Sequence, residues 1–507
     1  MFPLLTTITF LPLVGGIALL FLPKNQVGAI RGTALAVAGV NLLLALILLL
    51  GYSQANTSAT FAGTFLFTEK LTWISSLGIN YSLGVDGISV LLVVLTALLT
   101  PICILASFPI EQKVKNYMAF MLLLECGIIG VFVATNLFLF YIFWELMLIP
   151  AYFLVGSWGG PRRIYAAFKF VLFTSVGSLI MLAGVIAIGY YHQLASGGGY
   201  TLELSSLLNT KLDSGVQMWL FLAFAAAFAV KVPFVPFHSW LPDAYAEAPA
   251  PVTAMLAGAM SKTGAYGFLR FCIPLFPQAA QTLAPLFNTL AVIGILYCAV
   301  LALTQTDMKR LLGYSSISHL GVVMLGMFAF NVQGAEGSVL QMVNHGITTA
   351  ALFLIAGFIE QRAGTRRISD FGGTAVRVPV LATMMLIAVL SSLGLPGLNS
   401  FAGEFLAFLG AFRSSVVFGT LGTIVVVPAA WYLIRFFQGV MEGIRNSEAV
   451  AVKRKSVFSD ISLREFVSIS PLLLLIFYIG LQPLPLTIIL EPSVISTLQN
   501  LGNAFVR

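Results

Sequence analysis

The stretch FAVKVPFVPFHSWLPDAYAEAPAPV, residues 228–252, combines features that a simple membrane anchor does not need. Lys231 follows a long apolar run, and a lysine in hydrocarbon costs several kcal/mol unless it is paired, hydrated or neutral. Pro233 and Pro236 come directly afterwards and remove backbone hydrogen bonds from the helix that carries the lysine. We interpret the stretch as a broken membrane helix whose interruption leaves room for water beside a functional charge.

The composition of the whole chain predicts a membrane protein. Of its 507 residues 59% are hydrophobic and only 9% are charged, and apolar runs of about twenty residues are long enough to cross a bilayer as helices. These runs are continuous and lack the alternation of barrel strands. The net charge of +7 lies in short loops between the runs and does not indicate a nucleic-acid partner. The first run, residues 2–22, lacks a basic leader and a cleavage site, so we interpret it as a retained helix.

We expect an all-α polytopic fold of about fourteen transmembrane helices in a single membrane domain, residues 1–507. The predicted spans are 3–22, 31–50, 85–106, 116–134, 136–157, 165–190, 217–240, 250–275, 283–305, 310–329, 337–360, 379–408, 414–438 and 466–486. With both termini outside, most of the 26 Lys and Arg residues fall in cytoplasmic loops, as the positive-inside rule requires. The connections 51–84 and 191–216 are expected to form ordered caps on the outer side, and 440–464 a cytoplasmic-side connection.

Two of the predicted helices are interrupted, at KVPFVPF and at LGLPGLNS. Each is the fourth helix of a five-helix block, the first block covering residues 116–275 and the second residues 283–438. An odd number of crossings per block predicts that the second repeat is inverted relative to the first. Broken helices at matching positions of inverted repeats are typical of transporters, because unwound backbone inside a membrane must lie beside protein or water.

Six ionisable residues within the predicted helices are the candidate functional residues. They are Glu145, Lys231, Lys262, His319, His345 and Glu404. Each has a simpler alternative: a lysine can extend to the interface, a glutamate can be a neutral packing residue, and a histidine can hydrogen-bond within the bundle. The succession along the chain favours a proton relay, because an acid is followed by two bases, two imidazoles and a second acid. In such a relay Glu145 would switch Lys231 between its charged and neutral forms.

Other polar residues have more ordinary interpretations. Glu125 is a buried acid without an obvious partner and is expected to be structural, whereas Asp86, Asp243 and Glu247 lie at predicted helix ends, where capping or loop docking is expected. The four cysteines are scattered in apolar segments, which argues against a disulfide framework, a zinc site or an iron–sulfur cluster. A Walker loop and a dinucleotide fingerprint are both missing, and the histidine positions argue against a haem.

Six ordered motifs make the chain resemble the antiporter-like proton-pumping subunits of respiratory complex I, and most of all the M-type subunit, chain 4. The motifs are FWELMLIPAYFLVGSWGG, KVPFVPFHSWLPDAYAEAPAPV, SKTGAYGFLR, DMKRLLGYSSISHLG, MVNHGITTAALFL and LPGLNSFAGEF, after GVDGIS at the start of the third helix. The chain departs from the family pattern at Tyr245 and Ala246, where histidine and glycine are usual. WGGPRRIYAAFKFVLFT is most similar to the cyanobacterial and plastid versions.

The resemblance implies a role for each candidate residue. Glu145 would modulate Lys231, and Lys262 would pass protons towards the centre. His319 and His345 would extend the axis, and Glu404 would be the terminal exchange residue. The departure at Tyr245 puts in doubt a role for the missing histidine, not the relay.

The resemblance also implies partners and a setting. The chain would be a proton-translocating subunit of an NAD(P)H or ferredoxin–quinone oxidoreductase, in a lipid bilayer among other membrane subunits, some of them antiporter-like. Other subunits would bind NAD(P)H or ferredoxin, the iron–sulfur clusters and quinone, which is plastoquinone in the photosynthetic version. This chain would bind no cofactor. The expected membrane is the thylakoid of a cyanobacterium or plastid, and otherwise the bacterial inner membrane. Alternatives are a subunit of a multi-component Na⁺/H⁺ antiporter, a CO₂-uptake variant of the photosynthetic complex and a purely structural subunit.

Overall fold

The fold is a bundle of long helices with one small hairpin in the part of the chain that the structure describes. The structure is a computed structural model and describes residues 3–56, 65–75, 78–443, 459–499 and 501–502. The helices of the first half are α1 (Leu4–Phe21), α2 (Val27–Asn56), α3 (Gly87–Ala106), α4 (Val114–Val133), α5 (Leu137–Leu146), α6 (Leu148–Trp158), α7 (Arg163–Ser196), α8 (Leu204–Leu207), α9 (Ser214–Lys231), α10 (Trp240–Glu247), α11 (Ala250–Met255), α12 (Lys262–Gly267) and α13 (Ile273–Leu275). Those of the second half are α14 (Pro277–Thr304), α15 (Met308–Met327), α16 (Val332–Ala363), α17 (Pro379–Ser392), α18 (Asn399–Ser414), α19 (Val416–Thr423), α20 (Val426–Met441), α21 (Leu463–Leu481) and α22 (Leu484–Gln499).

Eleven helices among these residues are long and apolar enough to cross a membrane. The protein is therefore a mostly helical, multi-pass membrane protein, as predicted. Each of the fourteen predicted spans coincides with a helix or with consecutive helical segments. α22 was not predicted: its 16 residues include Pro492 and a glutamate, which weaken the apolar signal on which the span assignment depends.

Both predicted helix breaks are present. The chain leaves helical geometry between α9 and α10, and again between α17 and α18. In the second break Gly394 and Gly397 have φ values of +77° and +91°, which side-chain-bearing residues rarely adopt. The region 250–275 is also interrupted, by π-helical segments at Leu256–Met260 and Phe268–Cys272 on either side of α12.

The predicted outer cap 51–84 contains a β-hairpin that the all-helical expectation did not include. Strand β1 (Leu66–Ile74) pairs antiparallel with β2 (Ile79–Val85). The carboxylate of Glu69 accepts hydrogen bonds from the backbone N–H groups of Leu5 and Thr6 at 2.8 and 3.0 Å. The hairpin thus caps the N-terminus of α1, whose first N–H groups have no partner inside the helix.

The centre of the bundle is α16, whose apolar stretch is entirely buried by neighbouring helices. It packs against α15 and α18, so residues on all three helices face one another away from lipid. The grouping of the helices into two inverted five-helix repeats stays a prediction, as does the sidedness of the termini. Residues 444–458 of the predicted connection 440–464 lie outside the described residues.

Candidate functional site

Lys262 lies at the start of α12, between the two π-helical segments, and is fully buried. Its Nζ contacts the backbone oxygen of Ala257, the hydroxyl of Ser261 at 3.2 Å and Nδ1 of His345 at 2.7 Å. An ammonium group has three donor hydrogens. These three contacts supply an acceptor for each of them, so a charged Lys262 is satisfied without water.

His345 on α16 connects Lys262 to a second histidine. The rings of His345 and His319 lie 5.9 Å apart, centroid to centroid, at 50°. Nε2 of His345 has no hydrogen-bond partner among the described residues, whereas Nε2 of His319 faces the hydroxyl of Ser392 at 3.4 Å. The two imidazoles are therefore neighbours, with no direct hydrogen bond between them in the described structure.

Glu404 ends this series of contacts on α18, directly after the second helix break. Its Oε1 lies 2.8 Å from Nδ1 of His319 and accepts a hydrogen bond from Nε2 of Gln341 at 2.9 Å. A Cβ on Gly394 would come within 3.0 Å of Oε2 of Glu404. The break therefore brings a glycine backbone against the carboxylate, where a larger residue would crowd it.

Four of the six predicted residues thus form one buried series: Lys262, His345, His319 and Glu404. The order along the contacts differs from the order along the chain, because α16 lies between α12 and α15. His345, not His319, is the direct neighbour of Lys262.

Lys231, at the C-terminal end of α9, is buried and its Nζ has no hydrogen-bond partner among the described residues. Instead it lies 5.3 Å from the ring centroid of Trp144 and 5.5 Å from that of Phe170. Aromatic faces attract a cation, and more strongly where water is excluded. The immediate surroundings of this ammonium group are therefore aromatic.

Glu145, the predicted modulator of Lys231, does not form a direct hydrogen bond with it. The two groups interact electrostatically, and Oε1 of Glu145 is buried without a partner among the described residues. Adjacent residues on a helix point in different directions, so Trp144 faces Lys231 while the Glu145 side chain is only partly buried.

The backbones of the two lysine-bearing helices, α9 and α12, touch at Gly264. A Cβ at this position would lie 2.9 Å from Cβ of Lys231 and 3.0 Å from the backbone nitrogen of Val232. The glycine permits an approach that any side chain would prevent. The structure thus places Lys231 beside the helix of Lys262, without a direct contact between the two ammonium groups.

Glu125 corrects one expectation from the sequence: it does have a partner. Nδ2 of Asn41 on α2 donates to Oε1 of Glu125 on α4 at 2.8 Å. The asparagine is 84 residues away in sequence, and the apolar pattern of α2 does not indicate that these helices pack together.

The acids at helix ends have the capping and docking roles that the sequence suggests. Asp86 caps α3 and forms a buried ion pair with Arg270 at 2.6 Å. Asp243 pairs with Lys169 and Arg310 at 2.8 and 2.5 Å. Both acids therefore connect helices that are far apart in the chain.

Glu247 belongs to a cluster of charges on the predicted cytoplasmic side, beside a cavity of about 450 Å³ lined also by Lys309, Glu360 and Arg366. Arg366 contacts Glu247 at 3.2 Å and Asp307 at 3.1 Å. Burial by itself lowers the pKa of Arg366, but the surrounding carboxylates outweigh it, so its pKa is raised. The lining of the cavity therefore includes basic and acidic side chains.

Several residues that contact the candidate residues were not predicted from the sequence: Trp144, Ser261, Gln341 and Ser392. Trp144 and Ser261 adjoin candidate residues in the chain, which is a usable signal. Gln341 lies four residues before His345 and so on the same face of α16. Nothing in the sequence pairs Ser392 with His319, because the contact depends on how α15 and α17 pack.

Among the described residues no group of three or more His, Cys, Asp or Glu side chains is arranged to hold a metal ion. The four cysteines are free and buried in the apolar core. The chemistry that this arrangement supports is proton transfer between titratable side chains.

Comparison with known proteins identifies the class. The family described as NADH:quinone oxidoreductase/Mrp antiporter, transmembrane, matches residues 134–427, and the amino-terminal family of NADH-ubiquinone oxidoreductase chain 4 matches residues 34–135. The chain is thus an antiporter-type membrane subunit. Subunit M of NADH-quinone oxidoreductase from Rhodobacter capsulatus is 40% identical over 98% of this chain and 96% of its own length. That from Rickettsia bellii is 39% identical over 95% of each chain. The protein belongs to the family of NADH-quinone oxidoreductase M subunits.

A solved structure agrees with this assignment. A chain of respiratory complex I from Thermus thermophilus with bound NADH superposes with a TM-score of 0.87 at 33% identity, covering 98% of this chain and 100% of that one. The predicted cyanobacterial and plastid branch has no support in these relatives, which are M subunits of Rickettsia and Rhodobacter.

Proposed function

We propose that the chain is a proton-translocating membrane subunit of an NADH–quinone oxidoreductase complex, with other membrane subunits as its partners. It would carry no redox cofactor, and NADH, iron–sulfur clusters and quinone would be bound by other subunits. The relatives are named for NADH and quinone, which favours NADH over ferredoxin as the electron donor. A bacterial inner membrane fits these relatives better than a thylakoid.

The observation that carries the proposal is the buried series from Lys262 through His345 and His319 to Glu404. Two of its links are short enough for direct proton transfer, at 2.7 and 2.8 Å. In our proposal a water molecule bridges the intervening link, between the two imidazoles, whose ring centroids lie 5.9 Å apart. Ionisable side chains inside a membrane are costly and usually functional, and a connected row of four is what a lateral proton path requires.

Lys231 and Glu145 lie outside this series and are suited to drive it. Moving one proton against 100 mV costs about 2.3 kcal/mol. Bringing two unit charges to 4 Å gains about 4 kcal/mol at an effective dielectric constant of 20. The change in free energy when Glu145 and Lys231 move closer or apart is therefore large enough to shift a proton on the neighbouring Lys262. In our proposal, quinone reduction elsewhere in the complex causes that change.

The decisive experiment uses the assembled complex in inverted membrane vesicles. NADH oxidation and acidification of the vesicle interior are measured together for the wild type, for Lys262→Ala and for Lys211→Ala. The last variant is the control, because Lys211 is exposed and lies outside the relay. We expect Lys262→Ala to pump at least tenfold fewer protons per NADH than the wild type, and Lys211→Ala to pump normally.

Two results would contradict the proposal. A Lys262→Ala complex with the wild-type ratio of protons to NADH would exclude the relay. Pumping that requires sodium and exchanges it for protons in the absence of NADH would identify an antiporter instead.

A further inference from the structure

Asn399 is fully buried at the start of α18, directly after the second helix break. Its Oδ1 accepts hydrogen bonds from the hydroxyls of Ser391 at 2.6 Å and Thr348 at 3.3 Å. Its Nδ2 donates to the backbone oxygen of Asn344 at 3.2 Å. A buried amide is costly unless it is hydrogen-bonded. Both polar atoms of this amide are bonded, and their partners lie on the two neighbouring helices.

The hydrogen bond between Ser391 and Asn399 joins the two sides of the break, because Ser391 is on α17 and Asn399 begins α18. Between them, Gly394 and Gly397 have positive φ values, and glycine restrains the backbone less than any other residue. The hydroxyl of Thr348 on α16 lies 2.8 Å from that of Ser391. Side-chain hydrogen bonds thus fix the angle of a break that its glycines leave free.

Asn344 and Asn399 form a reciprocal pair between α16 and α18. Nδ2 of Asn344 donates to the backbone oxygen of Asn399 at 2.7 Å, so each side chain bonds the backbone of the other residue. Asn344 directly precedes His345 in the chain. Gln341, one turn earlier on α16, donates to Glu404 at 2.9 Å. The face of α16 that carries the relay histidine therefore also holds α18 in position along its length.

His319 contacts both sides of the same break. Its Nε2 faces the hydroxyl of Ser392, the residue after Ser391, at 3.4 Å, and its Nδ1 lies 2.8 Å from Glu404. Glu404 is five residues beyond Asn399, about 7.5 Å along the helix axis. A displacement of α18 by about 1 Å would take the contact between Glu404 and His319 out of hydrogen-bond range.

We propose that Asn399 is a positioning residue of the relay, which ties both sides of the second helix break to α16 and so holds Glu404 and Ser392 at His319. This inference rests on the proposed function. Asn399 takes up no proton itself. Without its amide every titratable group of the relay is still present, but the last contact of the series is no longer held at transfer distance. The expected defect is therefore in proton transfer.

Asn399→Ala tests the inference, because it removes all three side-chain hydrogen bonds. Asn399→Asp is the conservative variant: a neutral carboxylic acid has an oxygen acceptor and an O–H donor and keeps these bonds, whereas a carboxylate has no donor for Asn344. Asn288→Ala is the matched control, since Asn288 is also buried and its Nδ2 donates to the backbone oxygen of Phe328 at 3.3 Å. Protons pumped per NADH are measured in vesicles from pH 6 to pH 8, together with the amount of assembled complex.

We expect Asn399→Ala to pump at least fivefold fewer protons per NADH at every pH, with Asn288→Ala unchanged. Asn399→Asp should pump more than Asn399→Ala, most of all at pH 6, where more of the acid is neutral. A normal ratio in Asn399→Ala, with or without a smaller amount of assembled complex, would overturn this inference alone if Lys262→Ala still loses pumping. Normal ratios in both variants would overturn the proposed function as well. Asn399→Asp no better than Asn399→Ala at any pH, or an equal loss in Asn288→Ala, would also overturn the inference.

Discussion

Lys262 and His345 are in direct contact, with Nζ of the lysine 2.7 Å from Nδ1 of the histidine. When Lys262 is charged, Nδ1 must accept, and the histidine then carries its hydrogen on Nε2. That nitrogen has no partner among the described residues. The histidine is thus arranged to take a proton from Lys262 on one side while releasing one on the other.

His345→Ala is expected to disable this transfer. The variant removes an acceptor from a buried ammonium, and a hydrogen bond to a charged group is worth about 1.5–3 kcal/mol. We expect protons pumped per NADH to fall at least tenfold, while His192→Ala, on the predicted outer side, leaves the ratio unchanged. Wild-type pumping by His345→Ala would show that protons bypass this histidine.

Glu404→Gln isolates the charge at the end of the series. The amide oxygen of glutamine is still able to accept from Gln341, but the side chain no longer takes up a proton. We expect pumping to fall at least tenfold with normal assembly, and Glu336→Gln on α16, outside the relay, to pump normally. Equal pumping by the two variants would place the terminal group elsewhere.

The helices and the ionisable residues inside them were predictable from the sequence for the same reason. Lipid requires continuous apolar runs, so a lysine such as Lys231 or an acid such as Glu404 stands out against them. The contacts were less predictable. Lys262 and His345 are 83 residues apart, and their meeting depends on α16 lying at the centre of the bundle. The β-hairpin was missed because its short strands lie in a loop where hydropathy carries little signal.

Trp144 is expected to stabilise the charged form of Lys231. Because no hydrogen bond holds this ammonium in the described part of the chain, the aromatic face is a main source of compensation. A cation–π contact of this kind is worth about 2 kcal/mol when desolvated. Trp144→Leu should therefore shift the pH optimum of pumping to lower pH, where Lys231 is more readily protonated.

Trp144→Phe retains an aromatic face and should shift the optimum less. The check is a pH profile of protons per NADH, and identical profiles for wild type and Trp144→Leu would contradict the expectation.

Gly264→Ala is expected to destabilise the contact between α9 and α12. Its Cβ would lie 2.9 Å from Cβ of Lys231, where the α9 backbone cannot easily yield. Overpacking of this kind costs about 1–3 kcal/mol. Gly294→Ala on α14 is the control, since a Cβ there meets no atom within 4 Å. The measurement is the thermal unfolding midpoint of the detergent-solubilised complex, and equal midpoints for the two variants would show that the approach is not as close as described.

Asp86 and Arg270 provide a test of the packing on the predicted outer side. Their ion pair is buried, with Oδ2 of Asp86 2.6 Å from the guanidinium of Arg270. Removing one partner of a buried pair costs about 3–5 kcal/mol, because the other charge is left uncompensated, whereas removing both costs less. We therefore expect Asp86→Ala and Arg270→Met each to lower the yield of folded complex more than the double variant does.

The yield is measured by gel filtration of detergent-solubilised membranes. An additive loss in the double variant would mean that the two charges are stabilised independently, and that the capping hydrogen bonds of Asp86 to Ile88 and Ser89 account for its contribution.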